Sequence, residues 1–248
     1  MAEISILDVD LLAFERGDGA RRAAVVDGVR RSLATGFVYT ASDLPEDLLD
    51  SAYGLLRRFF ALDPASKARF NVPGSQGQSG YTGLLVETAA GSDHADWKEM
   101  LNWSVPPSAD HPLRRRYPLF YPDPVLPDAV VPGISAVLKR FHGELAELQR
   151  RFLRVVALAM GCADTFFDGV VAEAPTLSRA LRYPPIHEAP AGGHVWSAPH
   201  ADINLITALP RATAPGLQVL VEERRSEEHT SELQSHSDLV CRLLLEKK

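Results

Sequence analysis

The sequence predicts a mixed α+β chain, on three observations. Apolar residues recur at steps of three and four over residues 20–33, 48–59 and 134–161, the period of amphipathic helices. Short β-branched and aliphatic runs lie around them, at residues 37–39, 177–183, 203–206 and 217–220. Gly and Pro punctuate the alternation, most densely over residues 117–133.

In chain order, Ile4, Ile6 and Leu7 lead into Asp8 as a short strand, and Gly17-Asp18-Gly19 marks a loop. Val26, Val29 and Leu33 then define a helix that Gly36 terminates, and Phe37-Val38-Tyr39 reads as a strand. Ser42-Asp43-Leu44-Pro45 supplies cap and first-turn residues for a helix whose stripe is Leu48, Ala52, Leu55, Leu56 and Phe59. Asp63-Pro64 starts a further short helix, and Asp96-Trp97-Lys98-Glu99 reads as an exposed loop with a helix start. The Pro-rich stretch 117–133 cannot continue a helix and is expected to be an ordered connection. Val137, Leu138, Phe141, Leu145, Leu148, Phe152, Val155 and Ala159 then predict one long amphipathic helix ending at Gly161. A coiled coil is the rival, but the run is close to the shortest that sustains one. Residues 177–183 form a strand that Pro184-Pro185 ends, and Ala191-Gly192-Gly193 bends the following loop. His187 and His194 in that loop are expected to face solvent.

The bulk properties narrow the partners. With 248 residues, 46% of them hydrophobic, the chain is expected to build one domain around a sizeable core. A formal charge of −6 and a pI near 5.8 give no basic footprint, and Arg114-Arg115-Arg116 reads as a solvated face, so nucleic acid is not an expected partner. Cys162 and Cys241 form neither a disulfide framework nor a CxxC motif, which fits a reducing, cytoplasmic setting. The N-terminus lacks a signal-peptide pattern and no apolar run approaches the roughly 20 residues of a membrane span. A soluble, monomeric, cytoplasmic protein is expected.

The chemistry concentrates at His200-Ala201-Asp202. The triplet is expected to open a strand through Ile203, Leu205 and Ile206, placing positions 200 and 202 on one face, roughly 6.5 Å apart. An imidazole and a carboxylate at that spacing suit Fe(II), Mn(II) or Zn(II). A lone His-x-Asp is common by chance; the context sharpens it. The triplet is followed by Leu205-Ile206-Thr207, then by a Pro215-Gly216 turn into Leu217-Gln218-Val219-Leu220.

This segment resembles the iron-ligand region of the isopenicillin N synthase-like Fe(II)/2-oxoglutarate oxygenases, whose motif runs His-x-Asp, Leu-x-Thr, then Gly-Leu-Gln-Val. Gly36-Phe37, Phe59-Phe60, Lys67, Tyr81 after Gly80, and Asp96-Trp97-Lys98-Glu99 match further family signposts in the right order. The resemblance covers residues 1–223. It implies a double-stranded β-helix, or jelly roll, here incomplete, with the N-terminal helices and strands packed on it. It also implies His200 and Asp202 as iron ligands, Fe(II) as cofactor, 2-oxoglutarate as co-substrate and O2 as oxidant. Arg182-Tyr183-Pro184 is similar to the family segment before the iron site, which makes Tyr183 a holder of the co-substrate or substrate carboxylate. Tyr81 and Trp103 become substrate-contact candidates. The reaction implied is oxidation of a small molecule by hydroxylation, desaturation or cyclisation. A relative that uses iron without 2-oxoglutarate, an ethylene-forming relative or an inactive fragment are the alternatives, and a zinc hydrolase is disfavoured by the lack of His-Glu-x-x-His.

After Val221 the alternation of a closing barrel stops. The string RSEEHTSELQS from Arg225 is similar to a sequencing-library adapter translated in frame, so residues 224–248 are expected to be artefactual. The rival is a natural amphipathic helix through Leu239, Val240, Leu243 and Leu244. The family's third iron ligand and its Arg-x-Ser have no counterpart after Leu220, and His229 and His236 are not nominated. The expected organisation is 1–116 as the N-terminal oxygenase region, 117–133 as the connection, 134–223 as scaffold helix and first part of the jelly roll, and 224–248 as the foreign tail. Without a third ligand, the chain as it stands is expected to be inactive.

Overall fold

The computed structural model describes residues 6–33, 35–89, 92–200, 202, 204–214, 217, 219–221, 224–226 and 239–243. Ile4, Ala201, Ile203, the Pro215-Gly216 turn, Gln218, His229 and His236 lie outside the described residues. The chain, expected from its length to form one domain, groups into two compact units, each drawn from separated segments.

The first unit takes residues 1–44, 145–173 and 201–248. Strand β1 (Leu7–Asp10) pairs in parallel with β2 (Phe37–Ala41), across helices α1 (Leu11–Arg16) and α2 (Gly19–Ser32). Asp10 and Asp18 cap these helices, their carboxylates accepting from the Ala13 and Arg21 amides. The break at Asp10, which turns a strand directly into α1, was not expected from the sequence. The strand order is β1-β2-β9-β6, with β6 at Ile206–Pro210 and β9 at Leu239–Leu243. β9 is extended, where the rival reading of the tail was an amphipathic helix, and it pairs antiparallel with both β2 and β6. An apolar Leu-Val-Cys run with one β-branched member has the composition of a strand once two open edges are offered to it. A separate hairpin joins β7 (Val219–Val221) to β8 (Arg224–Ser226).

The second unit takes residues 45–144 and 174–200. Helix α3 (Glu46–Phe60) buries Leu48, Leu49, Ala52, Leu56, Phe59 and Phe60; Pro64 at the start of α4 (Pro64–Ala68) follows the Asp63 cap. The antiparallel sheet β3-β4-β5 is built from Gly80–Thr82, Glu99–Trp103 and Ser178–Arg182. The short helix α5 (Pro112–Arg116) precedes the Pro-rich connection, which is free of regular structure up to Ile134. Gly80 has φ +78°, and a Cβ there would lie 2.4 Å from the Phe70 carbonyl, so only glycine lets β3 begin against that turn. Phe59 meets Phe60, Phe70 and Tyr81 edge to face. The long helix α6 (Ile134–Ala159) gives its first eleven residues to this unit and the rest to the first. Ile134, Leu138 and Phe141 are buried on its early part, and Leu148, Phe152, Val155 and Val156 on its later part. After it come α7 (Asp168–Val171) and one 3-10 turn (Ile186–Glu188). No helix among the described residues is long and apolar enough to cross a membrane.

Candidate functional site

His200 is the last residue of the second unit and Asp202 belongs to the first, and each is held by neighbours on its own side. His200 Nδ1 lies 2.8 Å from the Ala198 carbonyl. A carbonyl only accepts, so Nδ1 carries the proton and Nε2 the lone pair, the arrangement that orients metal-ligating imidazoles. Thr207 Oγ1 donates to Asp202 Oδ2 at 2.7 Å and accepts from Asn204 Nδ2 at 2.9 Å. The expected strand is corrected: extended pairing begins only at Ile206, and neither His200 nor Asp202 is in it.

An oriented imidazole and a braced carboxylate are each a donor type that Fe(II) takes. Among the described residues no group of three or more His, Cys, Asp or Glu is placed to hold a metal ion.

The segment that delivers His200 is laced to the strand entry before β4. The Trp97 amide donates to the Val195 carbonyl at 2.8 Å, and His194 Nδ1 donates to the Ala95 carbonyl at 2.9 Å. Asp96, buried at 1% exposure, accepts from the Ala198 amide through Oδ1 and from Lys98 Nζ through Oδ2. Trp97 and Trp196 indoles donate to the carbonyls of Pro185 and Pro184. Burial alone would lower the Lys98 pKa; ion-paired hydrogen bonds to Asp96 and Glu87 outweigh it and raise the pKa above the ordinary lysine value.

Below this lacing sits Glu99, a carboxylate with no solvent exposure. Lys67 Nζ donates to it at 2.6 Å, Arg182 at 2.5 Å, and the Tyr81 hydroxyl also donates to it. Burial would push the Glu99 carboxyl up, and the three donors together hold it below the usual range. Desolvation first, then the hydrogen bond to Glu99 and its charge, push the Tyr81 phenol far above its ordinary value. On the other face of the sheet, Arg179 links Asn102 Oδ1 at 2.9 Å to Glu87 at 3.2 Å.

The expected loop with a helix start at 96–99 is thus corrected to a buried entry into β4. Alternation explains it: Glu99, Leu101 and Trp103 share one face, and Glu99 finds three donors there. Tyr81 and Trp103 lie in the interior of the second unit, at 8% and 2% exposure, with the Trp103 indole donating to the Leu138 carbonyl. Tyr183 is placed differently. Directly after β5, it is 45% exposed, and its ring lies 6.4 Å from that of Trp196. Although nearly half its surface is open, enough protein surrounds the hydroxyl to raise its pKa, with Lys98 opposing. His187 lies on the exposed 3-10 turn, with no described role. The sequence reading quoted Asp96, Glu99, Arg182 and Thr207 within its motifs without giving them these roles, which for the first three depend on partners remote in sequence.

Residues 4–127 match the family model for the N-terminal region of the non-haem dioxygenases of morphine synthesis. Gibberellin 20 oxidase 2 of Oryza sativa subsp. indica is 27% identical over 223 residues, covering 89% of this chain and 54% of that protein. Isopenicillin N synthase of Streptomyces jumonjinensis is 31% identical over 121 residues, 45% of this chain and 37% of the synthase. A 2OG-Fe(II) oxygenase family protein of Caulobacter crescentus superposes with a TM-score of 0.76 at 26% identity, over 96% of this chain and 73% of that one. The chain spans about half the length of the rice oxidase. With one half of its length matched by the family model and nearly all of it aligned on an oxygenase structure, the chain belongs to the isopenicillin N synthase-like Fe(II)/2-oxoglutarate dioxygenase family.

Proposed function

We propose that this chain is the iron-binding portion of an oxygenase that uses Fe(II), 2-oxoglutarate and O2 to oxidise a small molecule by hydroxylation, desaturation or cyclisation. The observation that carries the proposal is the pair of braced donors two residues apart, His200 with Nδ1 tied to Ala198 and Asp202 held by Thr207. Bound iron would supply the activation of O2 that no side chain can perform. His200 presents its Nε2 lone pair, Asp202 offsets part of the metal charge, and Thr207 fixes the carboxylate. Tyr183, with the Trp196 ring beside it, donates a hydrogen bond to a carboxylate of the co-substrate or substrate. Tyr81 and Trp103 act behind it, through Glu99 and the core, without touching the substrate. A small-molecule substrate accords with relatives named for a gibberellin and for isopenicillin N. In the complete protein the sheet of β6 and the β7–β8 hairpin begin a jelly roll, and the protein works as a cytoplasmic monomer.

The chain as it stands is proposed to be inactive, because two protein donors hold iron weakly and no third is grouped with them among the described residues. The test is anaerobic addition of Fe(II) and 2-oxoglutarate to a chain with the natural C-terminus restored. A visible charge-transfer band that vanishes in Asp202→Ala supports the reading. The same band in the present chain, with succinate formed on admitting air, would overturn the claim of inactivity and assign a ligand to the tail.

A further inference from the structure

A pair of imidazoles that the proposed iron position does not use stands where the segment before His200 meets the entry to β4. His94 and His194 stand with ring centroids 5.5 Å apart and planes at 70°. Both belong to the second unit, on the two strands of chain that the Trp97–Val195 and His194–Ala95 hydrogen bonds lace together.

Three features of the pair point to a cation. First, His194 donates Nδ1–H to the Ala95 carbonyl, which leaves the lone pair on Nε2 and fixes the ring, as backbone carbonyls do for metal-bound histidines. Second, Gly192 lies beside that nitrogen without a side chain: a Cβ there would stand at ordinary contact distance, 3.7 Å from His194 Nε2. Third, the separation is right. With metal–nitrogen bonds of about 2.0–2.1 Å, two imidazoles on one tetrahedral ion have centroids roughly 5 Å apart. The backbone of His94 is held by reciprocal bonds with Ser92: its amide donates to Ser92 Oγ, which donates to its carbonyl.

We propose that His94 and His194 form a two-imidazole site for a borderline divalent cation such as Zn2+, separate from the His200 and Asp202 position, with water completing the coordination. Imidazole is a ligand that Zn2+ takes readily, and a bridge between these two loops adds a metal clamp to the hydrogen bonds already joining them. The site does not depend on the oxygenase reading.

The test is titration of Zn2+ alone into the full chain carrying His200→Gln, so that the proposed iron position does not report. Isothermal titration calorimetry gives the affinity and native mass spectrometry the stoichiometry. One Zn2+ per chain is expected, with affinity falling about tenfold or more on adding either His94→Gln or His194→Gln. His94 is exposed and its ring supports no described hydrogen bond, so His94→Gln probes the site without threatening the fold. Equal zinc affinity with and without His94 would overturn the proposal, as would zinc binding already absent in the His200→Gln chain.

Discussion

Glu99 and Arg182 stand opposite one another in the register of β4 and β5, and their side chains meet at 2.5 Å on a carboxylate that solvent does not reach. Lys67 closes the other side at 2.6 Å. Glu99→Gln leaves the buried Lys67 ammonium without its counter-charge, which is expected to destabilise the fold by about 3–5 kcal/mol. Arg182→Met is expected to cost less, because the arginine is partly exposed and two donors remain on Glu99. Urea unfolding of both variants checks the order, and a milder Glu99→Gln would show that the network is not a structural hub.

His142 predicts a pH effect on stability. Its Nδ1 lies 2.8 Å from Ser178 Oγ and its Nε2 2.9 Å from Thr176 Oγ1, and burial holds its pKa below the ordinary 6.5. A depressed folded-state pKa means that the unfolded chain takes up the proton first as pH falls. The contribution is therefore present above pH 6.5 and lost below it, toward the folded value. Chemical denaturation at about pH 7.5 and about pH 5.5 is expected to show a smaller difference in His142→Gln than in the parent. An equal difference would mean that His142 is not the titrating group.

Asp96 governs the segment that ends in His200. Asp96→Asn weakens one charged hydrogen bond to Lys98 and the acceptor for the Ala198 amide, each worth about 1.5–3 kcal/mol. Hydrogen exchange over residues 194–200 is expected to quicken roughly tenfold, led by Ala198, before global stability fails. Unchanged protection there would remove Asp96 as the anchor.

Thr207 gives a graded test of the metal reading. Asp202→Ala is expected to abolish tight Fe(II) binding in the protein with its natural C-terminus. Thr207→Val removes only the hydroxyl that holds the carboxylate and is expected to weaken iron by about 10–100-fold. Iron affinities measured without oxygen distinguish them; no loss in Asp202→Ala would end the assignment.

Tyr183→Phe deletes one hydrogen bond to a charged group, about 1.5–3 kcal/mol. The apparent constant for 2-oxoglutarate or for substrate is then expected to rise roughly tenfold or more. If neither constant moves, the open tyrosine beside Trp196 is a surface residue only.

What the sequence by itself determined were the elements whose cause is local. The stripe from Val137 to Ala159 made α6, Asp63-Pro64 made α4, and Pro184-Pro185 stopped β5, because periodicity, caps and proline act within a few residues. His-x-Asp was legible too, as a motif of three adjacent positions. Tertiary structure alone decided the rest. Glu99 looked like an exposed charge until Lys67, Tyr81 and Arg182, distant by up to 83 residues, converged on it. Extended pairing begins at Ile206 rather than at His200, and the apolar run at 239–243 became the strand between β2 and β6. Burial reverses what a charged residue prefers, and sheet edges reverse what a short apolar run prefers. Both depend on partners that are remote in sequence, and no local pattern names them.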